Sequence, residues 1–343
     1  MVGLWRNDWI VAVFFVTTKM QIVMGLGTAT LKFRVRRIHN SAFAAGSRYN
    51  GVIKVRNSAM NQRQQSRIEG IVNQPIARVT ALAGGMISEV IKIEFRNDDA
   101  LVAKIGDGAH DLRIEGYMLR YLLEKSNLPV PKVYHEEADL LLMAFIDGET
   151  EWDSASLAQL GHLLANCHQI DAGSYGLERD TLIGPLHQPN EQSESWIEFF
   201  REHRLRYMIG VARESGHLPS RLQGRLAEFA DQIERYLIEP QNPVLIHGDM
   251  WRTNVIVRDG SIRGIIDPAL YYAHNEMELA YMTLFDGVGR EFFAAYREIQ
   301  PVENDFFDTR RHVYNLYPLL VHLTIFGAKY LQPLDATLRR FSI

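Results

Sequence analysis

The sequence predicts an α+β chain of two lobes, a small β-rich N-lobe followed by a larger helical C-lobe. Three observations predict it. Short apolar runs separated by turn residues fill residues 76–145, helical spacing dominates after Asp147-Gly148, and strand-like runs return briefly at residues 244–266. Alternation with a period of two marks half-buried strands and a period near 3.6 marks helices, so each switch of period marks a change of architecture.

The elements follow in order. Ala77–Leu82, Val90–Phe95 and Ala100–Ile105 read as strands, with a Gly84-Gly85 turn after the first and a polar Arg96–Asp99 turn after the second. Residues 111–125 place Leu112, Met118, Leu119 and Leu122 on one stripe, which is helical spacing, and Pro129 and Pro131 close that helix off. Lys132–Tyr134 and Leu140–Phe145 complete the small lobe as two further strands. Helices are expected at 154–169, 195–215 and 220–236, strands at 244–246, 255–257 and 264–266, and helices again at 276–284, 291–299 and 308–330. No internal repeat or low-complexity tract appears. A β-rich small lobe leading into a helical lobe with a β insertion is the layout of protein-kinase-like enzymes, but layout alone does not give function.

Composition narrows the classes. A length of 343 residues supports one large or two modest domains, and a 47% hydrophobic, 23% charged composition is that of a globular protein. The single cysteine, Cys167, excludes an internal disulfide framework and a cysteine-based zinc cage, and reads as a small buried hydrophobe. Residues 1–68 hold 11 Lys+Arg and one acid, Asp8, whereas the remainder holds 26 basic and 40 acidic residues. An acidic body argues against a nucleic-acid partner. The apolar run Trp9–Val16 is shorter than the roughly 20 residues a membrane span needs, so no stable membrane association is expected. Residues 1–59 lack clean periodicity and read as an N-terminal extension, either a start placed upstream of Met60 or a targeting segment. The expected location is cytoplasmic, with organelle targeting by that extension left open.

The chemistry concentrates in His247-Gly-Asp-Met-Trp-Arg-Thr-Asn254 and in Ile265-Ile-Asp267. Phosphoryl transfer needs a carboxylate at the acceptor hydroxyl and oxygen ligands that hold Mg²⁺ against the phosphates. Mg²⁺ prefers hard oxygen donors and keeps several waters, so one amide oxygen and one carboxylate suffice. Asp249 supplies the first function, and Asn254 and Asp267 supply the metal ligands, a pattern parallel to the kinase catalytic loop. Each aspartate alone could be a turn residue; the full set and its spacing favour the site. His247 is expected to orient the loop backbone. Upstream, Glu115 lies on the apolar stripe of its helix and needs a partner, because unpaired burial is costly. Lys104 near the end of the third strand is the natural one, and such a pair would hold a cation on the α- and β-phosphates of ATP. Gly84 and Gly85, one strand before Lys104, would let the backbone approach those phosphates.

From about Ile76 onward the chain resembles the fructosamine (ketosamine) kinase family, which shares its fold with aminoglycoside phosphotransferases and choline kinases. The resemblance rests on four segments beyond the shared loop: Tyr175-Gly-Leu177 with Ile183–Asn190; Trp196–Phe200 with His203–Leu205; Asp267–His274 with Glu276, Glu278–Ala280 and Leu284-Phe285; and Tyr314–Leu320 with His322, Phe326 and Gly327. It implies ATP-dependent phosphorylation of the 3-hydroxyl of a ketosamine, free or on protein lysines, after which the adduct breaks down and the free amine returns. It also implies that Asp249 accepts the proton and that Ala144-Phe145-Ile146 is the hinge that bonds adenine through its backbone. The N-lobe, residues 60–148, would then bind the nucleotide, and residues 149–343 would carry catalysis and the acceptor. Arg252-Thr253 departs from the family's usual Ser-Gly, Ala144 from its usual Glu, and Met86 stands where some members carry a redox-active cysteine. The competing functions are a related kinase acting on an aminoglycoside, choline or homoserine, and an inactive nucleotide-binding scaffold.

Overall fold

The computed structural model describes residues 60–82, 88–285 and 288–342, so the expectations for residues 1–59 and for Gly84-Gly85 lie outside the described residues. Helix α1 (Gln62–Val72) opens with a capping box: the Asn61 side chain accepts from the Gln64 amide, and the Gln64 side chain accepts from the Asn61 amide. The sequence reading missed this helix. Its only buried residue is Ile68, so no apolar stripe announces it.

Strands β1 (Ile76–Ala81), β2 (Glu89–Phe95), β3 (Ala100–Ile105), β4 (Val133–Glu137) and β5 (Leu140–Ala144) form one antiparallel sheet in the order β1-β2-β3-β5-β4. The central strand β3 is buried on both faces. Successive side chains alternate across a strand. Leu101 and Ala103 join Ile68, Ile91 and Leu142 on one side, while Val102 joins Leu112, Met118 and Leu119 of helix α2 (Leu112–Lys125) on the other. Lys104 shares the face of Val102 and therefore points toward α2.

The second lobe begins with α3 (Ser154–Cys167), again opened by a capping box, at Asp153. Cys167 is buried with the core of this lobe, as expected. A short hairpin, β6 (Thr181–Ile183) and β7 (Leu186–Gln188), was not foreseen, because three-residue strands are too brief to show alternation. The helix expected at 195–215 is three pieces: α4 (Trp196–Phe199), a π-helical stretch (Phe200–Arg206) and α5 (Tyr207–Glu214). Fully buried Arg204 sits in that wider turn and stacks 3.8 Å from the Tyr271 ring. Helix α6 (Ser220–Ala230) follows and ends six residues earlier than the spacing suggested.

Strand β8 (Val244–Ile246) pairs with β11 (Tyr271–Ala273), and β9 (Val255–Arg258) pairs with β10 (Ser261–Ile265). The β9–β10 turn places Asp259 and Gly260 at positive φ (52° and 70°), the backbone of a primed hairpin turn. Helices α7 (Asn275–Met282), α8 (Arg290–Arg297), α9 (Arg311–Tyr314), α10 (Leu316–Phe326) and α11 (Leu331–Arg339) complete the lobe. The single long helix expected at 308–330 is broken, because Gly327 at φ 81° stops α10 and redirects the chain. Among the described residues no helix is long and apolar enough to cross a membrane.

Candidate active site

Strand β8 delivers the chain into the loop His247–Trp251, and the short turn Arg252–Asn254 carries it into β9. Gly248 adopts φ 86°, and a Cβ there would run into the backbone of Ala269, 2.7 Å from its carbonyl carbon. Only glycine fits, so the middle position of His-Gly-Asp is a backbone requirement. The loop is tied to the segment beyond β10 by two bonds: Ala269 N–H donates to His247 O (2.8 Å) and Ile266 N–H to Asn254 O (2.9 Å). His247 adds a third. Its Nε2 donates to Ile266 O (3.1 Å), and its Nδ1 accepts from the Asp249 amide (3.3 Å). Burial lowers the imidazole pKa, which suits this neutral tautomer and a positioning part for His247.

Asn254 Nδ2 donates both to the backbone oxygen of Asp249 (2.9 Å) and to its carboxylate Oδ2 (3.0 Å). Committing the nitrogen in this way leaves the amide oxygen of Asn254 as the group to offer a cation. The Asp249 carboxyl is pushed up to about 6, chiefly by burial; a Tyr281 hydroxyl bond opposes that push and the charge of Asp267 adds to it. A carboxylate so poised is a better proton acceptor than an ordinary surface aspartate.

Asp267 holds a left-handed backbone (φ 56°) immediately after Ile266, and its side chain keeps 41% of its surface open. It meets Lys104 from the other lobe. The Lys104 ammonium is 8% exposed and bonds both the Asp267 carboxylate and Glu115 Oε1, the latter at 2.7 Å. Glu115 thus has the partner that its apolar stripe demands. Burial alone would lower the lysine pKa; the two carboxylates outweigh it and hold the ammonium charged. Burial raises the Glu115 carboxyl, and Lys104 opposes that rise.

The remaining expected residues are placed less directly. The Ala144 amide already donates to Lys132 O at 2.9 Å, so an adenine contact there falls to the other peptide groups of residues 144–146. The Phe145 ring lies 4.3 Å from Lys92 Nζ, and Ile146 packs against Gly264 of β10. The aromatic segment after Asp267 packs and does not open on the site: Tyr271, Tyr272 and His274 are all buried, and Tyr272 faces the Tyr121 hydroxyl at 3.1 Å. Tyr314 is likewise core, accepting from Trp196 Nε1 at 2.9 Å.

Sequence reasoning gave no function to the residue that holds the loop from beneath. Glu278 on α7 is fully buried, accepting from the Gly248 amide (2.7 Å) through one oxygen and facing His168 Nε2 (2.9 Å) through the other. His168 Nδ1 meets the Tyr296 hydroxyl at 2.8 Å, and Asn275 donates to that hydroxyl at 2.9 Å. Burial would raise the Glu278 carboxyl, but the His168 bond and charge more than offset it and the carboxyl lies below the usual range. The signal available in the sequence was an acid set between Met277 and Leu279-Ala280, in a run that the structure buries whole.

The donor set suits a hard divalent cation. Asn254 and Asp267 offer an amide and a carboxylate oxygen, and among the described residues no trio of His, Cys, Asp or Glu is grouped as a metal cage. A cation held by two protein oxygens takes its other ligands from phosphates and water, the usual condition of Mg²⁺ beside a nucleotide.

The family model for fructosamine kinase matches residues 60–342. The chain is 35% identical over 185 residues to a probable ketoamine kinase of Synechocystis, covering 53% of this chain and 61% of that protein. It is 33% identical over 227 residues to the chloroplastic protein-ribulosamine 3-kinase of Arabidopsis thaliana, covering 63% of this chain and 67% of that protein. The chain thus spans about three fifths to two thirds of the length of these two relatives. A crystal structure of a putative fructosamine-3-kinase from Thermobifida fusca superposes with a TM-score of 0.72 at 28% identity, covering 80% of this chain and 97% of that one.

Proposed function

This chain belongs to the fructosamine kinase family, ATP-using phosphotransferases with an alcohol acceptor, and on that premise we propose that it phosphorylates the 3-hydroxyl of ketosamines. The observation that carries the reading is the joining of two clusters. Asp249 and Asn254 hydrogen-bond within one loop, while Lys104 bridges from Glu115 to Asp267 across the lobes. The ribulosamine 3-kinase relative supports a ketosamine acceptor and position 3.

In this reading Asp249 accepts the proton of the sugar hydroxyl as that oxygen attacks the γ-phosphorus of ATP. The bond from the γ-phosphorus to the β–γ bridging oxygen breaks, ADP leaves, and the proton rests on the Asp249 carboxylate. Lys104, kept charged by its two carboxylates, faces the α- and β-phosphates. Asn254 and Asp267 would hold Mg²⁺, whose charge would offset that of the phosphates. The peptide groups of residues 144–146 receive adenine, and Gly84-Gly85 is assigned to the phosphate cover. The phosphorylated adduct then breaks down and releases the free amine, so the outcome is deglycation.

The test is phosphate transfer from ATP to fructose-, ribulose- and erythrulose-lysine, with aminoglycoside, choline and homoserine as controls and the product mapped by NMR. A 3-phosphate on one of the ketosamines is expected. Transfer to a control acceptor alone, or to another hydroxyl, would overturn the reading.

A further inference from the structure

Outside the site described above, the C-lobe carries a cavity of about 440 Å³ between the end of α7, helix α8 and the segment leading into α9. Its size falls in the range typical of small-molecule pockets, about 300–1,000 Å³. Three arginines line it, Arg290, Arg297 and Arg311, over an aromatic floor of Phe293 and Phe307 with Thr283 at one edge. Among the described residues, no ion pair joins any of the three to a carboxylate. Arg310, next along the chain, behaves in the ordinary way and pairs with buried Glu276 at 2.6 and 2.7 Å.

Two further features point to a ligand. Arg311 Nε is buried without a hydrogen-bond acceptor. An N–H left in that state costs about 1–3 kcal/mol, and a turn of the guanidinium would bring it to an acceptor in the cavity. The guanidiniums are also held in place by the rings. Arg297 lies 5.8 Å from the Phe293 centroid and 5.5 Å from that of Phe307, and Arg311 lies 5.8 Å from Phe307. Cation–π contacts of this kind restrain a guanidinium while leaving N–H groups for an oxyanion.

We propose that this cavity binds a small phosphate-bearing molecule that also carries an apolar or aromatic group. The phosphate would sit in the fork formed by Arg290, Arg297 and Arg311, and the apolar group would lie on Phe293 and Phe307. Phosphate matches the bidentate geometry of guanidinium better than any neutral group does. None of the lining residues belongs to the set assigned to ATP or the acceptor, so the two sites are separate.

The experiment uses the full chain with its nucleotide site saturated by Mg-ADP, titrated calorimetrically with phenyl phosphate and with inorganic phosphate. One equivalent of phenyl phosphate is expected to bind, at least tenfold tighter than inorganic phosphate and more weakly as salt rises. The Arg297→Gln/Arg311→Gln protein should lose at least tenfold in phenyl phosphate affinity. Arg290→Glu, at an exposed rim position that does not threaten folding, should lose a similar factor. Both variants should keep the wild-type kcat with ATP and acceptor. Unchanged phenyl phosphate affinity in Arg290→Glu, or no uptake by the wild-type protein at millimolar concentration, would overturn the proposal.

Discussion

Replacing Glu278 by alanine should destabilise the protein and disable turnover together. The carboxylate is fully buried and serves two donors, the Gly248 amide at 2.7 Å and His168 Nε2 at 2.9 Å. Truncation leaves both without an acceptor, at about 1–3 kcal/mol each, and the range for breaking a buried pair is about 3–5 kcal/mol. The Gln variant separates shape from charge. Its oxygen can still accept from Gly248, but its amide nitrogen then faces His168. The imidazole must move its proton to Nδ1, where it donates to the Tyr296 oxygen. That rearrangement keeps the contacts to Gly248 and His168 but leaves the Tyr296 hydroxyl proton without its imidazole acceptor and loses the charge-assisted part, about 1–3 kcal/mol. Activity should fall in both variants because Gly248 immediately precedes Asp249, the proposed base, and a small displacement of such a group is costly.

The pH dependence follows from the depressed Glu278 carboxyl. Its contribution is fully present above the unfolded glutamate pKa of about 4.3 and is lost as pH falls through the lower folded value. Urea unfolding of wild type and Glu278→Gln between pH 7 and pH 3 therefore should show a stability gap that closes on acidification. A Glu278→Ala protein within about 1 kcal/mol of wild type, below the loss expected for one orphaned donor, would refute the reasoning. So would a gap that widens as pH falls.

Other outcomes follow from the same geometry. Gly248→Ala forces a side chain against the Ala269 backbone at φ 86° and should abolish turnover; wild-type kcat in that variant would contradict the loop conformation. Glu115→Ala removes one of the two carboxylates that hold Lys104 and should lower kcat/KM for ATP on the order of 10²-fold while leaving the fold intact, as circular dichroism and steady-state kinetics would report. Removing residues 1–59 should leave a folded, active enzyme, because the family match begins at residue 60; an insoluble or inactive product would show that the segment belongs to the domain.

Much of this architecture was legible because the informative signals are local. The alternation through Ala100–Ile105 gives a strand, and the stripe through Leu112, Met118, Leu119 and Leu122 gives a helix. A lysine in the first and a glutamate on the second then require each other. The loop from His247 to Asn254 carries its aspartate and asparagine five residues apart, so its internal bond could be anticipated. The support beneath it could not. Glu278 is 30 residues from Gly248 and 110 from His168, and no periodicity records such pairing. Helix α1 was hidden by its polarity, since its capping box is the only strong local sign. The π-helical turn around Arg204 has no pattern distinct from an α-helix until its neighbours are known.

The central claim is that Asp249 faces the acceptor hydroxyl while Asp267 holds the metal. It is tested most directly by kcat against free Mg²⁺ at saturating ATP for Asp249→Asn and Asp267→Asn. The Asp249→Asn protein should lose about 10²–10⁴-fold in kcat with the Mg²⁺ dependence of the residual rate unchanged, since it removes a positioned base and no metal ligand. The Asp267→Asn protein should need markedly more Mg²⁺ and transfer phosphate more slowly even when Mg²⁺ saturates, because an amide replaces the charged ligand. A Mg²⁺ curve shifted by Asp249→Asn and left in place by Asp267→Asn would contradict the account and reverse the two roles.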